Sequence, residues 1–130
     1  MSVETFLMSE VFGVVGASSS REKFGNKVLR CLLQNGKKAI PVHPKEKVIE
    51  GQSAVASVLD LPEAVKSISI ITPPAVTEKV VDMAISKGIT SVWMQPGAES
   101  EAAVKKCVDN HLNCIGDGRC LLVHFHFHES

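Results

Sequence analysis

The sequence predicts an α/β fold, a three-layer αβα sandwich built on a mainly parallel sheet of five or six strands. Three observations carry this expectation. Short apolar or β-branched runs alternate with amphipathic stretches from one end of the chain to the other. The run Ser67–Thr72 is β-branched-rich throughout, as a strand buried on both faces would be. Strands that alternate with helices pair in parallel through right-handed crossovers, which lay helices on both faces of the sheet.

Taken in order, residues 1–10 carry Phe6, Leu7 and Met8 and read as a short helical lead covering one edge of the sheet. Val11–Gly16 is the first strand, followed by the small and hydroxylic residues Ala17-Ser18-Ser19-Ser20 and an amphipathic segment from Glu22 to Gln34. In that segment Phe24, Val28, Cys31 and Leu32 recur on one helical face. Ser19 and Glu22 have capping-box spacing, and Gly36 suits the C-terminal cap. Ala39–Val42 is the second strand, with Pro41 assigning it to a strand end, an edge or a bulge because proline cannot donate to a ladder. From His43 to Glu63 the pattern is that of a loop through Gly51 with one helical turn near Ser57–Asp60.

Ser67–Thr72 is the third strand, and Pro74 opens a helix whose residues Val76, Val80, Met83 and Ala84 face inward until Gly88 stops it. Thr90–Met94 is the fourth strand, with Trp93 in the core. Gln95-Pro96-Gly97-Ala98 turns into a helix over Ser100–His111, with Glu99 and Glu101 at its positive end. Asn113–Ile115 is a fifth short strand. The tail Leu122–His128 alternates and reads as a further strand, joined through an Asp117-Gly118 hairpin or added in parallel. Its histidines His124, His126 and His128 share one face, and a neighbouring pair has zinc-binding spacing. The outer two stand about 13 Å apart on a straight strand, so phenylalanines inward and wetted histidines is the preferred reading, with no metal assigned.

Composition narrows the function classes. At 130 residues the chain is expected to form one domain over 1–130. Fourteen basic and fourteen acidic residues cancel, so no global field draws in nucleic acid or an anionic membrane, and any anion site must be local. Cys31, Cys107, Cys114 and Cys120 form no CxxC pair, and the start Met1-Ser2-Val3-Glu4 is unlike a signal peptide. A cytoplasmic location with free thiols follows as the expectation. No apolar run approaches the ~20 residues that span a bilayer. Neither a hydrolytic triad nor a pair of acid–base carboxylates is identifiable, so no catalytic residue is assigned.

Ligands of doubly wound sheets bind beyond the carboxyl ends of the strands, at the switch point. Those ends are Gly16–Ser20, His43–Lys45, Thr72–Pro74 and Gln95–Gly97. At the first of them, unsatisfied backbone N–H groups and a helix dipole of about half a positive charge suit a phosphate, and small residues let it approach. The glycines Gly13 and Gly16 are spaced G-x-x-G, and Gly25, nine residues on, does not complete the G-x-G-x-x-G pattern of NAD sites. The acidic residue that would accept the ribose 2′-hydroxyl of NAD is replaced by His43-Pro44-Lys45. With Arg21 and Lys23 nearby, this charge pattern favours an adenosine ligand carrying an additional ribose phosphate, and NADP and coenzyme A (CoA) both satisfy it.

The segments Gly16-Ala17-Ser18, Asn35-Gly36, Ile40-Pro41-Val42-His43-Pro44, Asp60-Leu61-Pro62-Glu63 and Val92-Trp93-Met94-Gln95-Pro96-Gly97 occur in an order that resembles small bacterial-type CoA-binding proteins. The same Rossmann-like module is similar to the CoA-binding domain of succinyl-CoA synthetase α subunits and of ADP-forming acyl-CoA synthetases. The resemblance covers roughly residues 10–120. It implies that Gly16, Ala17, Ser18 and Ser19 bind the pyrophosphate of CoA or an acyl-CoA. It implies further that Val42, His43 and Pro44 with Thr72, Pro73 and Pro74 flank the adenosine, that Lys45 or Arg21 approaches a phosphate, and that Gln95, Pro96 and Gly97 lie along the pantetheine arm. Two departures stand out. His43 replaces an asparagine frequent in the family, and Leu121 follows Arg119-Cys120 where the family often has Cys-Pro. Cys120 is accordingly read as a small hydrophobe, and His43 as a crevice wall or hydrogen-bonding residue.

The related ligases hold their phosphorylated histidine and nucleotide grasp in further domains, so a lone module is expected to bind rather than ligate, as a carrier, a sensor or a detached subunit. A homodimer and association with a ligase subunit are both open. The alternatives are an NADP(H)-binding enzyme or regulatory module, and a protein-interaction module with a degenerate crevice whose tail pairs with another chain.

Overall fold

The computed structural model describes residues 2–129. Met1 and Ser130, the outermost residues of the expected 1–130 domain, lie outside the described residues. The elements run α1 (Val3–Leu7), β1 (Val11–Val15), α2 (Phe24–Gln34), β2 (Lys38–Val42), β3 (Val48–Ile49), β4 (Gln52–Ser53), a 3₁₀ turn (Val58–Asp60), β5 (Ser67–Ile70), α3 (Pro74–Lys87), β6 (Ser91–Met94), α4 (Glu101–Asp109), β7 (Asn113–Ile115) and α5 (Leu121–His124). Five strands form one parallel sheet in the order β2-β1-β5-β6-β7. The chain leaves β1 toward β2, then returns to β5 on the other side of β1. That reversal is the switch point of a doubly wound sheet. The tail adds no strand, so the sheet has five.

Each face of the sheet carries its own core. Phe6 of α1, Leu29 and Leu32 of α2 and Leu121 of α5 pack with Phe12, Val14, Trp93 and Ile115 on one side. Val80 and Val81 of α3, Ala103 of α4 and Val58 of the 3₁₀ turn pack with Ile68, Ile70, Val92 and Met94 on the other. In β5 the sequence Ser-Ile-Ser-Ile sends its isoleucines to the second face and its serines to the first. Ser69 lies in register between Val14 and Trp93, and its small side chain leaves room for the indole. Phe6 packs edge-on against that indole at 5.4 Å, and the indole N–H donates to the Arg119 carbonyl at 2.9 Å. Pro41 sits on β2, opposite Val14, at the border of the sheet, where its missing N–H breaks no ladder and its carbonyl accepts from Val55.

Several expectations need correction. The Ser19–Glu22 capping box does not form: Ser20 accepts from the Lys23 N–H in a turn, and α2 starts only at Phe24, with Lys23 as an N-cap that makes no side-chain bond. Phe24 therefore stands at the first helical position and is 58% exposed instead of joining Val28, Cys31 and Leu32 in the core. In α3 the buried face is Thr77, Val80, Val81 and Ala84, while Val76 is exposed. The lead α1 packs on the face of β6 and β7 through Val3 and Phe6, leaving Met8 in solvent. The loop through Gly51 is a tight β3–β4 hairpin, with Glu50 and Gly51 both at positive φ as a two-residue turn requires.

The largest correction is the tail. Residues expected as a strand form α5 and a closing turn in which the Phe127 N–H donates to Leu122. A strand would turn only every second residue inward. The helical turn lets Leu121, Leu122, Phe125 and Phe127 all reach the α2 side of the core, and Arg30 stacks over the Phe127 ring at 5.4 Å. His124, His126 and His128 are exposed, and among the described residues no group of three or more potential ligands is placed to hold a metal.

Gln95 fastens this tail. It is 3% exposed, its Oε1 accepts from the Leu121 N–H at 2.7 Å and its amide donates to Cys120 Sγ at 3.3 Å. Gln95→Leu keeps the side-chain volume but leaves that buried N–H without its acceptor. The expected cost is about 1–3 kcal/mol, read in a thermal melt as a midpoint lowered by roughly 3–15 °C.

Candidate functional site

Beyond the carboxyl ends of β1, β2 and β5 lies an open crevice of about 510 Å³. Its floor is the turn after β1. Gly16 has φ +95°, and a Cβ there would stand 2.0 Å from the Ile71 carbonyl oxygen, so only glycine fits. Helix α2 presses onto the same turn: a Cβ on Gly25 would lie 1.9 Å from the Gly16 carbonyl oxygen. Gly25 thus performs the close helix-to-turn packing of a phosphate-binding fingerprint, through a loop longer than the usual spacing. The sequence spacing alone gave no reason to assign it that part.

Of the residues singled out in the sequence, Gly16, Ala17, Ser18, Lys23, His43, Pro44, Thr72 and Pro73 line this crevice. Phe24, Gly25 and Ile71 complete it. A smaller, mainly apolar cavity of about 230 Å³ adjoins it, sharing Gly16, His43, Pro44 and Thr72 and running down past Val42 to Val58, Val80 and Met83. The Thr72 hydroxyl is paired with that of buried Thr77 at 2.7 Å, which fixes its direction at the boundary of the two spaces. The His43 ring is held as a wall: Nδ1 accepts from the N–H groups of Lys45 (3.0 Å) and Glu46 (2.9 Å). The neutral ring therefore carries its proton on Nε2, which faces Glu46 at 3.5 Å.

Ser19, Arg21, Lys45, Pro74, Gln95, Pro96 and Gly97 line neither space. Ser19 is exposed, and its N–H donates to Glu46 Oε2 at 3.2 Å. Arg21 spends its guanidinium on Glu50, through Nε at 3.1 Å and Nη2 at 2.9 Å. Lys45 is exposed beside the His43-Pro44 corner. Gln95 faces into the protein, so of Gln95-Pro96-Gly97 only Pro96 and Gly97 are exposed.

Sequence reasoning missed Asn26 and Arg30, which shape the loop between β1 and α2. Asn26 is fully buried and donates to the Ser18 carbonyl (2.8 Å) and to Glu50 (2.9 Å), while its own oxygen accepts from Arg30 Nε at 2.6 Å. Arg30 reaches on to the Arg21 carbonyl and to Glu129, both at 3.0 Å. The available signal was their i,i+4 spacing on a helix face that otherwise reads as apolar.

This turn, crevice and apolar annex at a switch point place the chain among the doubly wound, Rossmann-like α/β modules, a fold whose ligands bind at that point. The chain belongs to the CoA binding domain family, whose model matches residues 10–126. It is similar to a conserved hypothetical protein from Pyrococcus furiosus, at 35% identity and a TM-score of 0.83 over 89% of this chain and 98% of that one. A hypothetical protein from Pyrococcus horikoshii OT3 matches at 31% identity and a TM-score of 0.87, over 95% of this chain and 85% of its own. A dinucleotide forming acetyl-coenzyme A synthetase 1 from Ca. Korarchaeum cryptofilum matches at 25% identity and a TM-score of 0.77. That match takes in 89% of this chain but 27% of the synthetase. Among the described residues no helix is long and apolar enough to cross a membrane.

The Arg21 and Asn26 bonds hold the Glu50 carboxyl well below its ordinary 4.5, at about 2. Because the folded value is depressed, the stabilisation is complete above about 4.5 and lost as the pH falls through about 2. Glu50→Gln is expected to melt below the wild type at pH 7, with the gap narrowing steadily between pH 4.5 and pH 2. Melting curves of the two proteins across that range check it.

Proposed function

We propose that this chain is a stand-alone CoA- or acyl-CoA-binding protein acting in the cytoplasm. The observation that carries the reading is the juxtaposition of a bare-backbone turn, Gly16–Ser18 with Gly25 packed behind it, and an apolar annex walled by His43, Pro44 and Thr72. A diphosphate on the turn and an adenine ring in the annex would use both halves, with Lys23 as the nearby cation. Val42 and Pro74 complete the adenosine surroundings in this reading, exposed Lys45 approaches the ribose 3′-phosphate, and Pro96-Gly97 borders the pantetheine arm. Arg21, occupied by Glu50, acts on the loop's shape rather than on a phosphate.

No group of this chain is assigned to bond making. The module holds its ligand for another protein to use, and the synthetase resemblance makes a ligase subunit the partner to look for, with a homodimer as the other form of assembly.

The test is thermal unfolding with CoA, dephospho-CoA, NADP and NAD in parallel. A ligand at a hundred times its dissociation constant adds ~2.7 kcal/mol, raising the midpoint of a domain this size by roughly 5–15 °C. CoA is expected to give the largest shift, dephospho-CoA a smaller one, and Lys45→Ala should remove the difference between them. A shift with NADP alone would replace this reading by an NADP(H)-binding module, and no shift with CoA would end it.

A further inference from the structure

We propose that Glu46 is a built-in competitor for the ligand's phosphate groups, resting on the reading that the turn after β1 takes a diphosphate. Glu46 belongs to the loop after β2, and Ser19 to the loop after β1, so the bond between them ties together the two loops that supply Ser18 and His43 to the crevice. Glu46 Oε2 accepts the Ser19 N–H at 3.2 Å, one of the backbone donors a phosphate oxygen would take. The same oxygen lies 3.5 Å from His43 Nε2. The bonds from Ser19 lead in holding this carboxyl below its ordinary value, with smaller contributions from His43 and Lys23, so it is an anion at neutral pH.

Without ligand, the chain thus supplies its own anion to the turn. A phosphate on the same N–H cannot share it with a carboxylate, and the two negative groups repel at that distance. Entry of a phosphorylated ligand requires Glu46 to give up Ser19 and swing outward. Its partial exposure on a loop leaves it free to do so. A ligand without phosphate pays neither cost. Glu46 therefore sets how strongly the crevice discriminates by ligand charge, and it keeps the turn ordered when no ligand is bound.

Glu46→Gln retains the length and removes the charge, and Glu63→Gln makes the same change in net charge at an exposed site before β5. The probes are inorganic pyrophosphate, CoA and adenosine, titrated by calorimetry at low and high salt. E46Q is expected to bind pyrophosphate and CoA about three- to tenfold tighter than wild type at low salt, with adenosine unchanged. The gain should shrink at high salt, and E63Q should bind like wild type. Equal affinities in wild type and E46Q, weaker binding by E46Q, or an equal gain in E63Q would overturn the proposal. Pyrophosphate separates the two readings: tighter pyrophosphate binding by E46Q upholds the competitor even if CoA binds neither protein, and in that case only the CoA reading falls.

Discussion

Everything at the crevice depends on one backbone-to-backbone approach. Gly25 at the start of α2 lies against the carbonyl of Gly16 with no room for a Cβ on either residue. This contact brings the first turn of an eleven-residue helix onto the strand end, and Phe24 and Gly25 of that turn line the crevice. A larger residue at position 25 would push the helix off the turn, and one at position 16 would drive the turn into the Ile71 carbonyl just past β5. The remaining structure serves this contact. The parallel sheet sets the height of the turn, and the Phe12–Leu29–Leu32 packing anchors the helix that presses on it.

The loop between those glycines is eight residues long, and its shape needs support that local propensity does not supply. Asn26 and Arg30 provide it from beneath, one on the Ser18 carbonyl and the other on the Arg21 carbonyl. Burying a guanidinium is costly unless its donors are used, and here they meet an amide oxygen, a carbonyl and the Glu129 carboxylate. The same arginine stacks on Phe127, so the end of the chain and the loop of the crevice share one buried group. The tail is therefore a structural support for the ligand loop, reached through α2.

How much of this was legible in the sequence follows from what each signal depends on. The five sheet strands and the two long helices were readable because burial on both faces and helical periodicity leave their mark along the chain itself. Pro41 restricted its position to a strand end, an edge or a bulge, and the sheet order settles on the edge, because only the neighbours of β2 decide among the three. The tail was misread because alternation of His and Phe fits a strand, while the outcome was decided by a distant hydrophobic surface on α2 and by the amide of Gln95. Arg21 looked like a phosphate cation because its partner, Glu50, arrives from a hairpin twenty-nine residues away in sequence. Phe24 was placed in the core by spacing alone, and the late start of α2 rotated it to the rim of the crevice.

The chain has zero net charge, and its cations are distributed unevenly between ion pairs and the crevice. Several of its cations are consumed in pairs: Arg21 with Glu50, Arg30 with Glu129, Lys105 with Asp109 and Lys106 with Asp82. The crevice lining carries one lysine, Lys23, beside the small residues Gly16, Ala17, Ser18 and Gly25, whose backbone is within reach. Backbone donors are cheap to keep because they require no long side chain to be ordered, and they select by position rather than by net attraction. The proposed phosphate reading depends on that arrangement, with the apolar annex beside the turn supplying a second, differently shaped surface. The polar side chains that line the crevice are Ser18, Lys23, Thr72, whose hydroxyl is paired with Thr77, and a histidine already bound through Nδ1.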